Sequence, residues 1–578
     1  MADLNEWLSV DYPNGGGSTI VNLTIQPNYD GDRTQRLKIQ GLKKTVFVDV
    51  EQSVAGMAEY LESQYLTVEF EEEGGVIKIK DNANRLKGSY NGRDWFYFSI
   101  LELGDKKRIY LQRDINNWGG GFVTNEKYYK IKGNLKSIFP SPEGQLGGLF
   151  FNDKYLTDAS DLIISDEKIN CSSMFYGCTN LQYAPKILPI TTLTNKHYYQ
   201  MFYGCTSLTN APQILATTLG SLCCYQMFYG CTSLVDVPQI LPATELADDC
   251  YNCMFYGCTS LTNAPELPAT TMKSYCYHSM FYGCTSLGNT PQLPATVLAQ
   301  RCYNSMFYGC TSITNAPDLP ATTLAEYCYE SMFKDCTSLV NIPEILPATT
   351  LLISCYDEMF SGCASLQYAP QLPATTLANY CYSNMFKDCL LLENSPDLPA
   401  TTIKDGCYGS MFKGCTSLIT APQTLPATTL AYDCYSYMFD GCINLQYAPQ
   451  LPATTLKSNC YYCMFRECIS LINAPQLPAI TLQDDCYNSM FMGCTSLVTA
   501  PELPATKLDS YCYKNMFKDC INLQYIKILV INVYSITNEC LEWVQNVSPT
   551  GTFVKKKDAT FVRGVNGIPT GWEVIEID

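Results

Sequence analysis

Met306-Phe307-Tyr308-Gly309-Cys310-Thr311-Ser312-Ile313-Thr314-Asn315-Ala316-Pro317-Asp318-Leu319-Pro320-Ala321-Thr322-Thr323-Leu324-Ala325-Glu326-Tyr327-Cys328-Tyr329-Glu330-Ser331 is one unit of a sentence that the chain writes fourteen times. Met-Phe pairs begin at 174, 201, 227, 254, 280, 306, 332, 359, 385, 411, 438, 464, 490 and 516. The step is 26 residues nine times and 27 four times. A fixed period of this length is the mark of a solenoid, in which each unit buries its apolar face on its neighbours. That explains how 578 residues can share one pattern without forming one oversized core.

Within a unit, apolar residues recur at intervals of four, as in Leu324, Cys328 and Met332 or Leu430, Cys434 and Met438. The spacing predicts a helix from each Leu to the following Phe. Thr323 and Glu326 would form a capping box at its start, and Gly309 would end the helix of its own unit. The stretch Cys-Thr-Ser-Leu-x-x-Ala-Pro is too short for a helix and predicts a strand that stacks in parallel on its neighbours. Length changes fall in the proline turn that follows. Pro343-Glu344-Ile345-Leu346-Pro347 carries one residue more than Pro265-Glu266-Leu267-Pro268. Tolerated insertion marks a surface turn. The expected fold is therefore an α/β solenoid of short parallel strands plus helices. Fourteen strands at roughly 4.8 Å would give a rod about 65 Å long.

The 31 cysteines obey the same register. Fourteen lie four residues after a Met (Cys178 through Cys520) and twelve lie four before one (Cys223 through Cys512). One residue type at one position per unit makes ladders, and free cysteine behaves as a small buried hydrophobe. These positions predict reduced core thiols rather than a disulfide framework, and folding in a reducing cytoplasm. Cys250-x-x-Cys253 and Cys460-x-x-Cys463 have the spacing of a zinc or redox pair. Their second cysteine, however, occupies a position that is Ser305, Ser331 or Asn384 elsewhere.

The repeat, with its "Phe-x-x-Cys-x-x-Leu … Leu-Pro" core, resembles the BspA-type leucine-rich repeat. It departs in using Met-Phe where many relatives have Ala-Phe, and in its many tyrosines. The resemblance implies repeats over 171–525. Residues 140–170 read as an N-terminal cap holding a worn unit, with Leu149-Phe150 and Leu156 where Met174-Phe175 and Leu181 stand. Residues 526–578 read as a C-terminal cap. Ile536, Cys540 and Val544 predict a last helix, and strands follow around Phe553 and Val574.

Ahead of the repeats, two small all-β domains are expected. Residues 1–52 alternate apolar and polar residues (Thr19 to Ile25, Thr45 to Val50) around turns at Pro13–Gly17 and Asn28–Asp32. Their Trp-Leu-Ser-Val, Gly-Gly-Gly and Lys-Thr-Val-Phe-Val layout resembles the BACON domain, an immunoglobulin-like sandwich. In that family it implies carbohydrate or mucin contact, or a spacer. Residues 53–64 predict a linker helix with Val54, Met57, Tyr60 and Leu61 on one face. Residues 65–139 form the second small β-domain, whose Trp95 and Trp118 are core aromatics before they are a sugar platform.

The net charge of −17 makes nucleic acid a poor partner. No run approaches eighteen apolar residues, so no membrane insertion is expected. Met1 to Trp7 shows neither the basic nor the apolar part of a secretory signal. No phosphate loop, dinucleotide fingerprint or zinc-protease motif is present. Of the two histidines, His197 replaces a ladder cysteine, and His278 lies on the predicted helix face in Cys276-Tyr277-His278-Ser279 with no partner pattern for a Ser or Cys nucleophile. The chain is read as no enzyme, with no cofactor, catalytic residue or metal site.

The informative position is the one after Met-Phe. It is Tyr176, Tyr203, Tyr229, Tyr256, Tyr282 and Tyr308 in six units, then changes to Lys334, Ser361, Lys387, Lys413, Asp440, Arg466, Met492 and Lys518. Freedom to change marks exposure. The tyrosine row is the candidate binding surface, set against a row that merely stiffens the rod by mutual stacking. A second row, Tyr251, Tyr277, Tyr303 and Tyr329, reads as packing between repeats. The combination resembles proteins of gut Bacteroidales and of their crAss-like phages. It implies an adhesion or structural protein, as a virion fibre or decoration protein made in the host cytoplasm. The alternatives are a bacterial cell-surface adhesin and a carbohydrate-binding accessory protein. The implied partners are other virion or surface proteins through the N-terminal β-domains, and a host protein or glycan through the repeats. A homo-oligomer is compatible with these readings.

Overall fold

A computed structural model describes residues 8–11, 22–25, 33–40, 45–52, 54–79, 86–113, 122–138, 148–164, 169–531 and 536–578. The expected turns at 13–17 and 28–32, together with Trp7, Trp118 and the stretch 140–147, lie outside these residues. The chain divides into two compact units, residues 1–190 with 210–213, and residues 191–209 with 214–578.

In the first unit, Leu8–Asp11 pairs antiparallel with Asn22–Ile25, and Arg33–Gln40 with Thr45–Gln52. The helix Val54–Gln64 follows where it was expected. Its buried contact is Leu61, against Tyr110, Tyr65 and Trp95, whereas Tyr60, assigned to the same face, is exposed. Six strands then form one sheet in the order Leu156–Ile163, Tyr129–Asn134, Leu66–Phe70, Arg108–Arg113, Leu86–Ser89 and Phe96–Tyr97. Val76–Ile79 lies between Phe122–Thr124 and Ile100–Glu102 in a three-stranded sheet. Trp95 packs on Tyr65 at 4.8 Å, a core contact.

The worn unit is present. Phe150 stacks on Phe175 at 5.3 Å and 5°, with Leu149, Phe150 and Leu156 buried. The strand Leu156–Ile163 pairs in parallel with Tyr129–Asn134 on one side. On the other side Asp158 bridges Tyr183, and Tyr183 bridges Asn210. The sheet of the second β-domain and the first coils thus share one ladder.

In the second unit the solenoid is as expected, but the helix of each repeat is not. The segment from Leu to Phe is a chain of turns. Every fourth residue is left-handed: Arg301 (φ 53°), Ser305 (φ 54°) and Gly309 (φ 70°) in one unit. An α-helix cannot pass through such residues. Hydrogen bonds alternate accordingly. Met306 N–H and Tyr308 N–H donate three residues back, to Tyr303 and Ser305. Between them Tyr303, Ser305 and Phe307 donate to Cys328, Glu330 and Met332 of the next repeat. From Arg301 to Cys310 every N–H is satisfied, half of them between coils, which a helix could not offer.

The expected strand is reduced to single parallel bridges, such as Asn315 to Asn341 and Thr271 to Val297 to Thr323. Proline shortens the ladder where both partners carry it. Ala316 N–H donates to Asn341, but Pro317 has no N–H with which to extend the ladder. Where the proline is missing, in Gln524-Tyr525-Ile526-Lys527, the ladder lengthens to the strand Tyr525–Ile528. That strand joins Thr499–Leu503, Thr552–Lys556 and Glu573–Ile577 in a four-stranded cap. The expected last helix is only Ile536–Glu539. Trp543 takes the position of the ladder phenylalanine, 6.1 Å from Phe517, and its indole N–H donates to Gly567. Among the described residues no helix is long and apolar enough to cross a membrane.

Candidate functional site

Buried ladders fix where the exposed positions sit. Phe202 to Phe517 stack at 5.3 to 5.8 Å in every consecutive pair of this unit. Tyr251, Tyr277, Tyr303 and Tyr329 are fully buried and stack at 5.7 to 5.9 Å, so the second tyrosine row is core.

The cysteines complete the core. All 31 are free, and all but Cys253 are buried. The ladder thiols also supply donors: the Cys336 S–H reaches the Phe307 carbonyl at 3.0 Å, and Cys363 reaches that of Phe333 at 3.1 Å. A buried carbonyl of one coil is thereby capped by the next, a role that Val or Ala cannot take. Burial pushes the Cys253 thiol up to about 12, with Asp249 adding to it, and Cys463 to about 11. A thiol that holds its proton at neutral pH is a poor nucleophile. At pH 8, a chromogenic disulfide reagent is expected to titrate rapidly no more than the half-exposed Cys253. All 31 thiols should appear on denaturation. A broad fast phase in the native protein would contradict the closed ladders.

His278 is held low, at about 4, by burial and by Arg301. It is neutral at physiological pH, with Nδ1 3.3 Å from Asn252 Oδ1. His197 is buried beside Thr194, 3.2 Å from its hydroxyl, as a core substitution would be. Among the described residues no group of three His, Cys, Asp or Glu is arranged to hold a metal.

The candidate tyrosines fall in both units. Tyr176 stacks on Phe151 at 4.7 Å in the first unit. Tyr203, Tyr229, Tyr256, Tyr282 and Tyr308 form a file in the second, with centroids 4.4 to 4.8 Å apart and planes within 9°. All six are half-buried. Inner rings of the file have both faces covered by neighbours, so what reaches solvent is ring edges and hydroxyls. Burial and the adjacent Tyr282 push the Tyr256 hydroxyl up to about 12. The row is therefore a neutral line of donors and acceptors.

Beyond Tyr308 the edge turns charged, and the charges pair between coils. Lys334 lies 5.5 Å from the Tyr308 ring and 2.7 Å from Glu358. Arg466 grips Asp440 with two bonds of 2.8 and 2.7 Å, and Lys413 approaches it at 3.2 Å. Asp440 is only 4% exposed, and the Tyr437 ring lies under both cations at 4.7 and 5.4 Å. These charges are neutralised within the edge. The sequence pattern did not reveal Tyr128 and Tyr183, exposed by 48% and 47% and lining one cleft of the first unit.

Comparison with known proteins bears on the repeat alone. No curated protein sequence matches. A crystal structure of a TLR13–ssRNA13 complex aligns with 15% identity over 64% of this chain, at a TM-score of 0.23. The aligned part spans about half (49%) of that protein, and a score so low carries no argument. The profile of the BspA type leucine rich repeat region matches in overlapping stretches, 150–277, 199–329, 248–393, 329–472 and 410–548. Those stretches cover the worn unit, every Met-Phe repeat and the start of the cap, well over half of the sequence: the chain belongs to the BspA-type leucine-rich repeat family.

Proposed function

We propose that this protein is a non-enzymatic binder of the surface or adhesion type that works as a virion fibre or decoration protein. Its N-terminal β-domains attach it to other structural proteins, and the edge of its repeats meets a host-surface protein or glycan. The observation that carries this reading is the row Tyr203 to Tyr308. The core positions of every repeat are fixed by stacking, whereas this row changes character along the chain, as binding faces of repeat proteins do. With the ring faces occupied, the row engages through edges and hydroxyls, which suits a hydrogen-bonding partner.

The test is the full chain with Tyr256, Tyr282 and Tyr308 replaced by Ser, measured for binding to host cells and to immobilised mucin. A loss of at least tenfold is expected, with the buried ladders and the fold intact. Unchanged binding would reduce the row to a stiffener. Mass spectrometry of purified virions examines the placement. Recovery of the protein only from host cell surfaces would turn the reading to a bacterial adhesin.

A further inference from the structure

A second candidate surface lies in the first unit, away from the tyrosine file. Glu71, Tyr128, Lys130, Thr157, Asp158, Asn180, Gln182 and Tyr183 line an open cleft of about 310 Å3. This is the lower end of the range of small-ligand sites, roughly 300–1,000 Å3. The walls are built from rigid parts. Lys130 lies in the strand Tyr129–Asn134, and Thr157 and Asp158 in Leu156–Ile163. Tyr183 is pinned by its bridge to Asp158.

We propose that this cleft binds a neutral saccharide, one or two pyranose rings long. The aromatic walls are available here as they are not in the file. Among the described residues no other ring packs on Tyr183, and Tyr128 touches only Tyr155, tilted by 54° at 6.0 Å. A pyranose C–H face can lie against such rings. Around them stand groups suited to hydroxyls. Glu71 and Asp158 accept, Lys130 donates, and Asn180 and Gln182 can do both.

Four bonds already orient this shell, among them Thr157 Oγ1 to the Tyr129 carbonyl at 3.1 Å and Asn180 Nδ2 to the Lys154 carbonyl at 2.8 Å. The Thr157 hydroxyl is 3.2 Å from Glu71 Oε1, and Asp158 Oδ1 accepts from the Ser160 N–H at 2.8 Å. Lys130 sits 3.6 Å from Asp158, too loose to close the cleft. Charge selects the ligand class. Two carboxylates against one ammonium disfavour phosphate, sulfate and sialic acid, and a lining this polar disfavours an apolar guest.

Calorimetry on the full chain tests this with glucose, galactose, N-acetylglucosamine and their neutral β-linked disaccharides, against sialyllactose and a sulfated sugar. Binding in the millimolar range or tighter is expected for at least one neutral sugar and none of the acidic ones. Tyr183→Ala should weaken it at least tenfold. Glu71→Gln, which keeps the shape, should weaken it several-fold without changing the melting temperature. No binding of any neutral sugar, a preference for the acidic ones, or affinity indifferent to both variants would overturn the proposal. The Tyr256, Tyr282 and Tyr308 triple variant should bind the sugar normally, so this site and the solenoid edge stand or fall separately.

Discussion

Replacing Phe360 with Ala costs about 3–5 kcal/mol of local stability, the range for emptying a large aromatic site in a closed core. The ring is fully buried between Phe333 at 5.7 Å and Phe386 at 5.8 Å, with planes within 6° of both. Truncation opens both inter-coil contacts at once, and each stacked pair adds about 0.5–1.5 kcal/mol beyond burial. The backbone is not the cause of the loss. The Phe360 N–H donates to Met385, and its carbonyl accepts from the Cys363 N–H and the Cys389 thiol; none of these needs the ring. A solenoid unfolds by neighbour terms rather than as one block, so a global midpoint would dilute the effect. Hydrogen exchange of segments on either side of residue 360 is the proper measurement. Protection should collapse for the Cys355–Cys363 and Cys381–Cys389 turns and persist in coils several repeats away. Phe360→Leu, which refills much of the space, should cost less than about 2 kcal/mol. Equal protection in the Ala variant and the wild type would mean that the phenylalanine file is ornamental.

The core of the solenoid was legible because its positions repeat: Leu, Cys, Met, Phe, Cys and Leu were assigned from spacing and are buried in every unit except at Leu508. The path of the backbone between them was misread. Residues four apart share a helical face only approximately, since a helix of 3.6 residues per turn needs steps of three as well as four. Leu324, Cys328, Met332 and Cys336 never take the shorter step. A strict interval of four fits a file of four-residue turns instead. A second signal was available. The residues at positive φ that follow each Met-Phe by two are Gly, Asp or, once, Glu467. Glycine and aspartate are at home in that conformation. The tyrosine file was legible as a row, with mutual stacking as one of two readings left open, since whether neighbouring rings meet face to face depends on the coil spacing. The cleft at Tyr128 and Tyr183 was not legible at all. Its residues come from segments 71, 128–130, 157–158 and 180–183, brought together only when the sheet of the second β-domain joins the first coils.

Asp357→Asn should stabilise the protein at pH 8 and leave it unchanged at pH 4. Asp357 sits among like charges on the inner side of the edge. Burial, then Glu358 and Glu330, pushes its carboxyl up to about 7. One carboxylate oxygen, Oδ1, has no hydrogen-bond partner. Lys334 is committed to Glu358 at 2.7 Å. In the unfolded chain the group titrates near the ordinary aspartate value, about 3.9. A folded value above the unfolded one means that the native state holds the proton more tightly. Its contribution is therefore fully present below pH 4 and is lost as pH rises from about 4 through about 7. The shift of roughly three units corresponds to about 4 kcal/mol at most, spent locally above pH 7 on keeping a charge in a poor place. Asparagine resembles the protonated acid in shape and carries no charge, so the difference between variant and wild type should be near zero at pH 4. It should grow to a few kcal/mol by pH 8. Hydrogen exchange of the segment 351–389 at the two pH values reads it directly. A variant equally stable relative to wild type at both pH values would show that Asp357 is ionised and content in the native edge. An Asp357→Asn protein weakened at pH 8 would show that the hydrogen bonds from Asn384 and Ser383 hold the carboxylate charged in the native edge.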